Sequence, residues 1–204
     1  MASKIITIGR QFGSGGREVG ERLSKLLGIP LYDRTLIEMA SKVMGVDTFD
    51  LERVDETAVN RFLAVYQTPE DTLNSVTGAD LPINDNMYVT QCNILDQLAQ
   101  KSSCVIIGRC ADWVLREKFP CVSVFICADK KDRIARISER YEITEREASE
   151  AIRRVDRKRK YYYESYTDGE WGKINSYQAM FNVSMLTMEK TVEAIAAMYR
   201  NLEP

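Results

Sequence analysis

Short apolar runs recur along the chain, and most are followed by a stretch whose apolar positions repeat every three or four residues. The runs Ile5–Ile8, Pro30–Tyr32, Cys104–Ile107, Val122–Cys127 and Met180–Met185 read as strands. Between them, Val19, Leu23 and Leu26 form one stripe of a helix predicted over Arg17–Leu27, with Gly28 as its stop signal. Met188, Val192, Ile195, Tyr199 and Leu202 repeat that pattern near the C-terminus. Further helices are predicted after Asp33, over Asp47–Gln67 and over Met87–Lys101, whereas Thr68–Asp85, rich in Thr, Asn, Asp, Gly and Pro, reads as a loop. Residues Asp129–Tyr166 are charged and helical, with Thr144 and Glu147 at capping-box spacing, before Thr167–Gly172 turns the chain back. Strands alternating with helices predict an α/β fold, a parallel sheet with helices on both faces. A chain of 204 residues is long enough to bury one full core, so a single domain is expected over 1–204.

The first strand breaks into Gly9-Arg10-Gln11-Phe12-Gly13-Ser14-Gly15-Gly16-Arg17-Glu18 and then a helix. A chain that wraps an anion must turn successive amides inward, through angles and approaches that a Cβ obstructs, and the helix that follows adds its positive end. Against the phosphate-cradling pattern G-x-x-x-x-G-K-[ST], the turn Gly13-Ser14-Gly15 is kept, but Gly16 stands at the lysine and Arg17 at the hydroxyl. Arg17 is the nearest cation to take over the lysine's charge. The competing reading is a glycine-rich turn that binds nothing.

Composition narrows the chemistry. There is no histidine, which excludes histidine general bases, histidine-dependent triads and the usual zinc sites. Phosphoryl transfer survives that exclusion, because it relies on positioning and on cations. The net charge of −2 gives no global basic surface for nucleic acid. Five cysteines without C-x-x-C spacing read as small core residues. No apolar run is long enough to span a bilayer, and Met1-Ala2-Ser3-Lys4 leads straight into a strand, so a soluble, cytoplasmic protein without a membrane partner is expected.

Positive charge is local instead. Residues 151–160, AIRRVDRKRK, carry six cations and one carboxylate. Such a run is usually a solvated helix face, but Ala148, Ile152, Val155, Tyr162 and Tyr166 define an inward stripe with Arg159 in its gap and Asp156 three residues earlier. An inward arginine calls for an anion or a carboxylate, so Asp156 either pairs with Arg159 or aims it at a transferring phosphoryl group. Arg153 and Arg157, four apart, would clamp phosphates from the neighbouring face, and Tyr161–Tyr163 read as packing residues.

The glycine-rich loop, Gly108-Arg109 after the Cys104–Ile107 strand, and Asp156-x-x-Arg159 before the last strand together resemble the cytidylate kinase-like proteins, relatives of the P-loop nucleoside monophosphate kinases. The similarity is strongest in GRQFGSGGREVG, IIGRCAD and YYYESYTDGEWG. It implies a five-stranded P-loop sheet, acceptor-binding helices and loop over 33–101, a lid-like segment over 140–172, and transfer of the γ-phosphoryl group of ATP, with Mg2+, to a nucleoside monophosphate. By the same resemblance Gly13, Ser14, Gly15 and Gly16 cradle the donor, Arg17 supplies charge, and Glu18 touches magnesium through water. Arg153, Asp156, Arg157 and Arg159 serve the transfer, while Asp33, Arg34, Arg109 and Asp112 face the acceptor. Cys110 follows Arg109 where cytidylate kinases carry an aspartate that helps set base preference, and the nearest carboxylate here is Asp112, so the resemblance does not extend to a preference for cytosine. A nucleotide-binding module without catalysis is the alternative, and exposed helices such as Asp47–Gln67 offer a homodimer contact.

Overall fold

The computed structural model describes residues 3–33 and 85–203. Strand β1 (Ile5–Arg10) leads through the glycine-rich loop into helix α1 (Gly16–Leu27), then β2 (Leu31–Tyr32). After the undescribed segment come α2 (Asp85–Lys101), β3 (Cys104–Ile107), the short α3 (Ala111–Leu115) and β4 (Cys121–Cys127). Helices α4 (Lys130–Tyr141) and α5 (Glu145–Tyr166) follow, then a 3-10 turn (Ile174–Ser176), β5 (Ala179–Asn182) and α6 (Met188–Arg200).

Among the described residues all strand pairings are parallel, in the order β2-β3-β1-β4-β5. Alternation along β1 sends side chains to both faces, and each face finds its own helices. Ile6 and Ile8 join Val19 and Leu23 of α1 with Val192, Ile195 and Ala196 of α6. Ile5 meets Leu95 and Ala99 of α2 with Ala111 and Leu115 of α3. Each fully buried Ile or Leu in these layers contributes roughly 1.5–3 kcal/mol. The strand order also fixes where a ligand belongs. The chain moves outward from β1 to β2, returns to β3, then crosses β1 to reach β4, and this reversal opens a crevice at the carboxyl ends of β1 and β3.

The five predicted strands and the terminal helices form where the pattern placed them. Gly28 ends α1 in the left-handed conformation, with its N–H donating to the Ser24 carbonyl. Thr144 and Glu147 make the reciprocal capping box of α5. Three details differ, one in a helix face and two in element boundaries. Leu26 is half exposed, and Leu27, four residues after Leu23, takes the inward place. The last strand stops at Asn182, because its side-chain oxygen accepts from the Ser184 amide and its carbonyl from Leu186, closing a turn over the segment predicted to continue to Met185. The 129–166 stretch is two helices, broken at Glu142 with φ 54°. The helices predicted after Asp33 and over Asp47–Gln67, and the loop Thr68–Asp85 up to residue 84, lie outside the described residues.

Candidate phosphate-binding site

The loop between β1 and α1 rests on glycine geometry at two points. Gly13 (φ 78°) and Gly15 (φ 82°) are left-handed, and a Cβ at Gly15 would meet Met188 Cε at 2.7 Å. Ser14 is fully buried and turned inward, its Oγ donating to the Gln11 carbonyl at 2.9 Å. The first-turn amides of α1, at Gly16, Arg17 and Glu18, have no carbonyl within the helix to bond, and the helix dipole adds positive potential there. The loop therefore has the chemistry of an oxyanion cradle.

Side chains from α4 and α5 hold the loop in this shape. Arg133 Nε donates to the Phe12 carbonyl at 2.8 Å, and Arg136 Nη1 donates to the Gly13 carbonyl at 2.7 Å. Asp156 accepts from the Phe12 amide at 2.8 Å and also from Arg133 Nη2, an ion pair whose arginine side chain is only 7 % exposed. Phe12 itself is buried among Ile137, Ala148, Ala151, Ile152 and Val155. Arg159 reaches the same loop: its Nη1 donates to the Arg10 carbonyl at 3.0 Å, and its guanidinium stands 5.6 Å from the Phe12 ring centre.

At the neighbouring strand end, Gly108, Arg109 and Cys110 have φ of 76°, 58° and 55°. Two consecutive non-glycine residues in the left-handed region store strain, of a kind that clusters at functional sites. The turn is fixed by the Gly108 amide donating to Ile8 and the Ala111 amide to Gly108. Arg109 lies 5.3 Å over the Tyr162 ring, three residues along α5 from Arg159. Arg109, Arg159 and Ser14 thus belong to one end of the sheet, at the carboxyl ends of β1 and β3.

The other sequence candidates are distributed around this end. Arg17 is over half exposed and runs along α1 to Glu21 (3.0 Å) and Asp33 (3.6 Å). Glu18 bonds Arg22 at 2.6 Å, and Arg22 also holds Glu189 at the start of α6. Arg34 lies outside the described residues. Arg153 and Arg157 are exposed, and with Glu150, Arg154 and Lys158 they line a shallow, open depression on the outer flank of α5. Asp112 turns inward, 7 % exposed, where it accepts a 2.6 Å hydrogen bond from the Tyr163 hydroxyl. Burial pushes its carboxyl up to about 6 despite that bond, and the same burial pushes the Tyr163 hydroxyl well above the ordinary tyrosine range. Tyr163 is buried and Tyr162 half-buried as packing residues, but Tyr161 is 63 % exposed, since it projects from the opposite face of α5.

Three residues of this site escaped the sequence reading, among them Arg133, whose carboxylate partner lies on another helix. Arg136 carries a helical signal, three residues after Arg133 on the α4 face that also buries Ile137. Arg10 has a different one: alternation along β1 puts it on the face of Ile6 and Ile8, under α1. Its stem covers Gly16, where an added Cβ would sit 2.6 Å from Arg10 Cβ and 3.0 Å from its Cγ. Its Nη1 occupies the space a Cβ on Gly108 would need.

Known proteins agree with this architecture. An uncharacterized protein from Eubacterium ventriosum ATCC 27560 superposes with a TM-score of 0.73 at 24 % identity, covering 98 % of this chain and 99 % of that one. A gluconokinase from Sinorhizobium meliloti 1021 (TM-score 0.51, 16 % identity, 98 % and 95 % covered) shares the fold. So does the shikimate kinase from Bacteroides thetaiotaomicron (0.50, 14 %, 97 % and 98 %). At these identities the likeness establishes the P-loop kinase fold alone. None of the curated proteins matches the chain. The profile of the cytidylate kinase-like family matches residues 5–185, nearly the whole length, and the chain belongs to that family.

Proposed function

We propose that the protein transfers the γ-phosphoryl group of ATP to a nucleoside monophosphate or a similar small phosphorylated acceptor. The observation that carries this reading is the gathering of Arg10, Arg136 and Arg159 around one glycine loop, with Arg109 on the adjoining turn after β3, at the crevice where the strand order reverses. An acceptor phosphate is already an anion, so no general base is needed, which suits a chain without histidine. The residues have to bind two polyanions in line, neutralise them and exclude water. In this reading the Gly13–Gly16 backbone and the first turn of α1 bind donor phosphates, Arg159 and Arg109 offset charge as the phosphoryl group moves, and the region from Asp33 onward takes the acceptor.

The backbone cradle fits a nucleotide. ATP supplies the phosphoryl group, and magnesium would arrive on its phosphates: position 17 offers a guanidinium, which is no metal ligand, and Glu18 is already bonded to Arg22. Among the described residues no cluster of three or more Cys, Asp or Glu side chains is arranged to hold a metal. The partners in this reading are small molecules rather than nucleic acid or membrane, in a cytoplasmic enzyme. Among the described residues no helix is long and apolar enough to cross a membrane.

A second reading, a nucleotide sensor without turnover, draws on Arg17, which extends towards Glu21 and Asp33 instead of folding over the loop. Coupled ADP release from ATP across a panel of nucleoside monophosphates separates the two. The kinase reading expects acceptor-dependent ADP, with Arg159→Ala and Arg109→Ala each lowering kcat/KM by roughly 100-fold or more. ATP binding with no acceptor-dependent ADP from any member of the panel leaves the sensor.

A further inference from the structure

The glycine at position 16 has a specific neighbour. Gly16 opens α1, and its missing side chain is the space in which the Cβ and Cγ of Arg10 lie, with Ile126 Cβ on the remaining side at 3.4 Å from an added Cβ. A side chain at 16 and a long side chain at 10 exclude one another. From that seat the Arg10 guanidinium extends to Gly108, at the carboxyl end of β3, where any Cβ would collide with its Nη1. The Arg10 carbonyl is fixed by Arg159 Nη1 at 3.0 Å, so the backbone that aims the side chain is itself tied to α5. One strongly basic group thus stands between the donor cradle and the strained Gly108-Arg109-Cys110 turn, with its stem laid across the position where the phosphate-cradling pattern carries lysine.

Resting on the kinase reading, we infer that Arg10 supplies the cation that position 16 lacks, contacting the terminal phosphates of the donor from the first strand instead of from the first helix. A guanidinium differs from an ammonium in holding two oxygens in a fixed fork, so it bridges neighbouring phosphoryl oxygens without a magnesium-ligating hydroxyl beside it. Arg17 then keeps the role its contacts describe, tying α1 to the end of β2 through Asp33.

The test is calorimetric titration of the full-length protein with a non-hydrolysable ATP analogue, inorganic tripolyphosphate and AMP, alongside thermal melting. Arg10→Met keeps the stem over Gly16 and removes the charge. It is expected to weaken the analogue and tripolyphosphate by about tenfold or more, the worth of a charge-assisted bond, while leaving AMP unchanged. The exchange Arg10→Gly with Gly16→Lys returns the cation to the helix, and recovers affinity to within about threefold of the starting protein. Gly16→Lys alone is expected to lower the melting temperature, because its stem and that of Arg10 compete for one space. Should Arg10→Met melt out, the uncharged Arg10→Gln and the exchange carry the comparison. Unchanged affinity in Arg10→Met, or an exchange variant that binds no better than an uncharged one, overturns the inference while the kinase reading stands. A starting protein that binds neither the analogue nor tripolyphosphate overturns both.

Discussion

A carboxyl among aromatic rings is an expensive place to keep a charge, and Asp112 occupies one, beside Tyr163 and near Tyr177 and Cys110. Its carboxyl, ordinarily near 3.8, rises to about 6 because burial penalises the ionised form more than the Tyr163 hydroxyl favours it. The folded chain therefore holds a proton that the unfolded chain releases between about pH 4 and 6, and stability falls as pH rises through that window. Asp112→Asn keeps an oxygen to accept from Tyr163 and cannot ionise. Urea unfolding at several pH values is expected to show this variant gaining about 2 kcal/mol on the parent between pH 4 and pH 7. A difference that stays constant with pH would mean that Asp112 is solvated in the folded protein.

Between elements, the cost of a charge depends on who shares it. Asp156 joins α5 to α4 through Arg133 and to the loop through the Phe12 amide. Asp156→Asn leaves a buried guanidinium without its carboxylate, which is expected to cost about 3 kcal/mol in chemical denaturation. Glu150→Gln, which breaks the exposed i,i+4 pair with Arg146, should move stability by less than about 0.5 kcal/mol. Equal midpoints for the two variants would show that the clasp does not hold the loop. The contrast also marks what was legible in the sequence. Strand runs, the α1 stripe, Gly28 and the Thr144 box are local, written within a few residues of where they act. The partner of Asp156 is 23 residues away on another helix, while the basic run suggested its neighbour Arg159. Gly16 looked like a lost lysine because motif matching compares positions one at a time, and the side chain that fills its space begins six residues earlier. The inward turn of Asp112 was hidden for the same reason, since Tyr163 lies 51 residues on.

For the whole molecule, folding and anion binding draw on the same contacts. Carbonyls of Arg10, Phe12 and Gly13 are held by Arg159, Arg133 and Arg136, so the cradle is a product of the α4 and α5 packing and cannot form in the unfolded chain. Any polyanion seated there binds only the native state and stabilises it by mass action, by about 2.7 kcal/mol at one hundred times its dissociation constant. For a chain of this size that corresponds to a rise in Tm of roughly 5–10 °C. The chain as a whole carries a net charge of −2, so general attraction cannot supply this effect, and sodium chloride at matched ionic strength should not reproduce it. Scanning calorimetry with tripolyphosphate is therefore expected to show a large saturable shift, and orthophosphate a smaller one, because fewer oxygens meet the convergent arginines. Equal shifts from tripolyphosphate and from the chloride control would mean that these guanidinium groups serve packing alone, and the loop would then be a turn without a ligand.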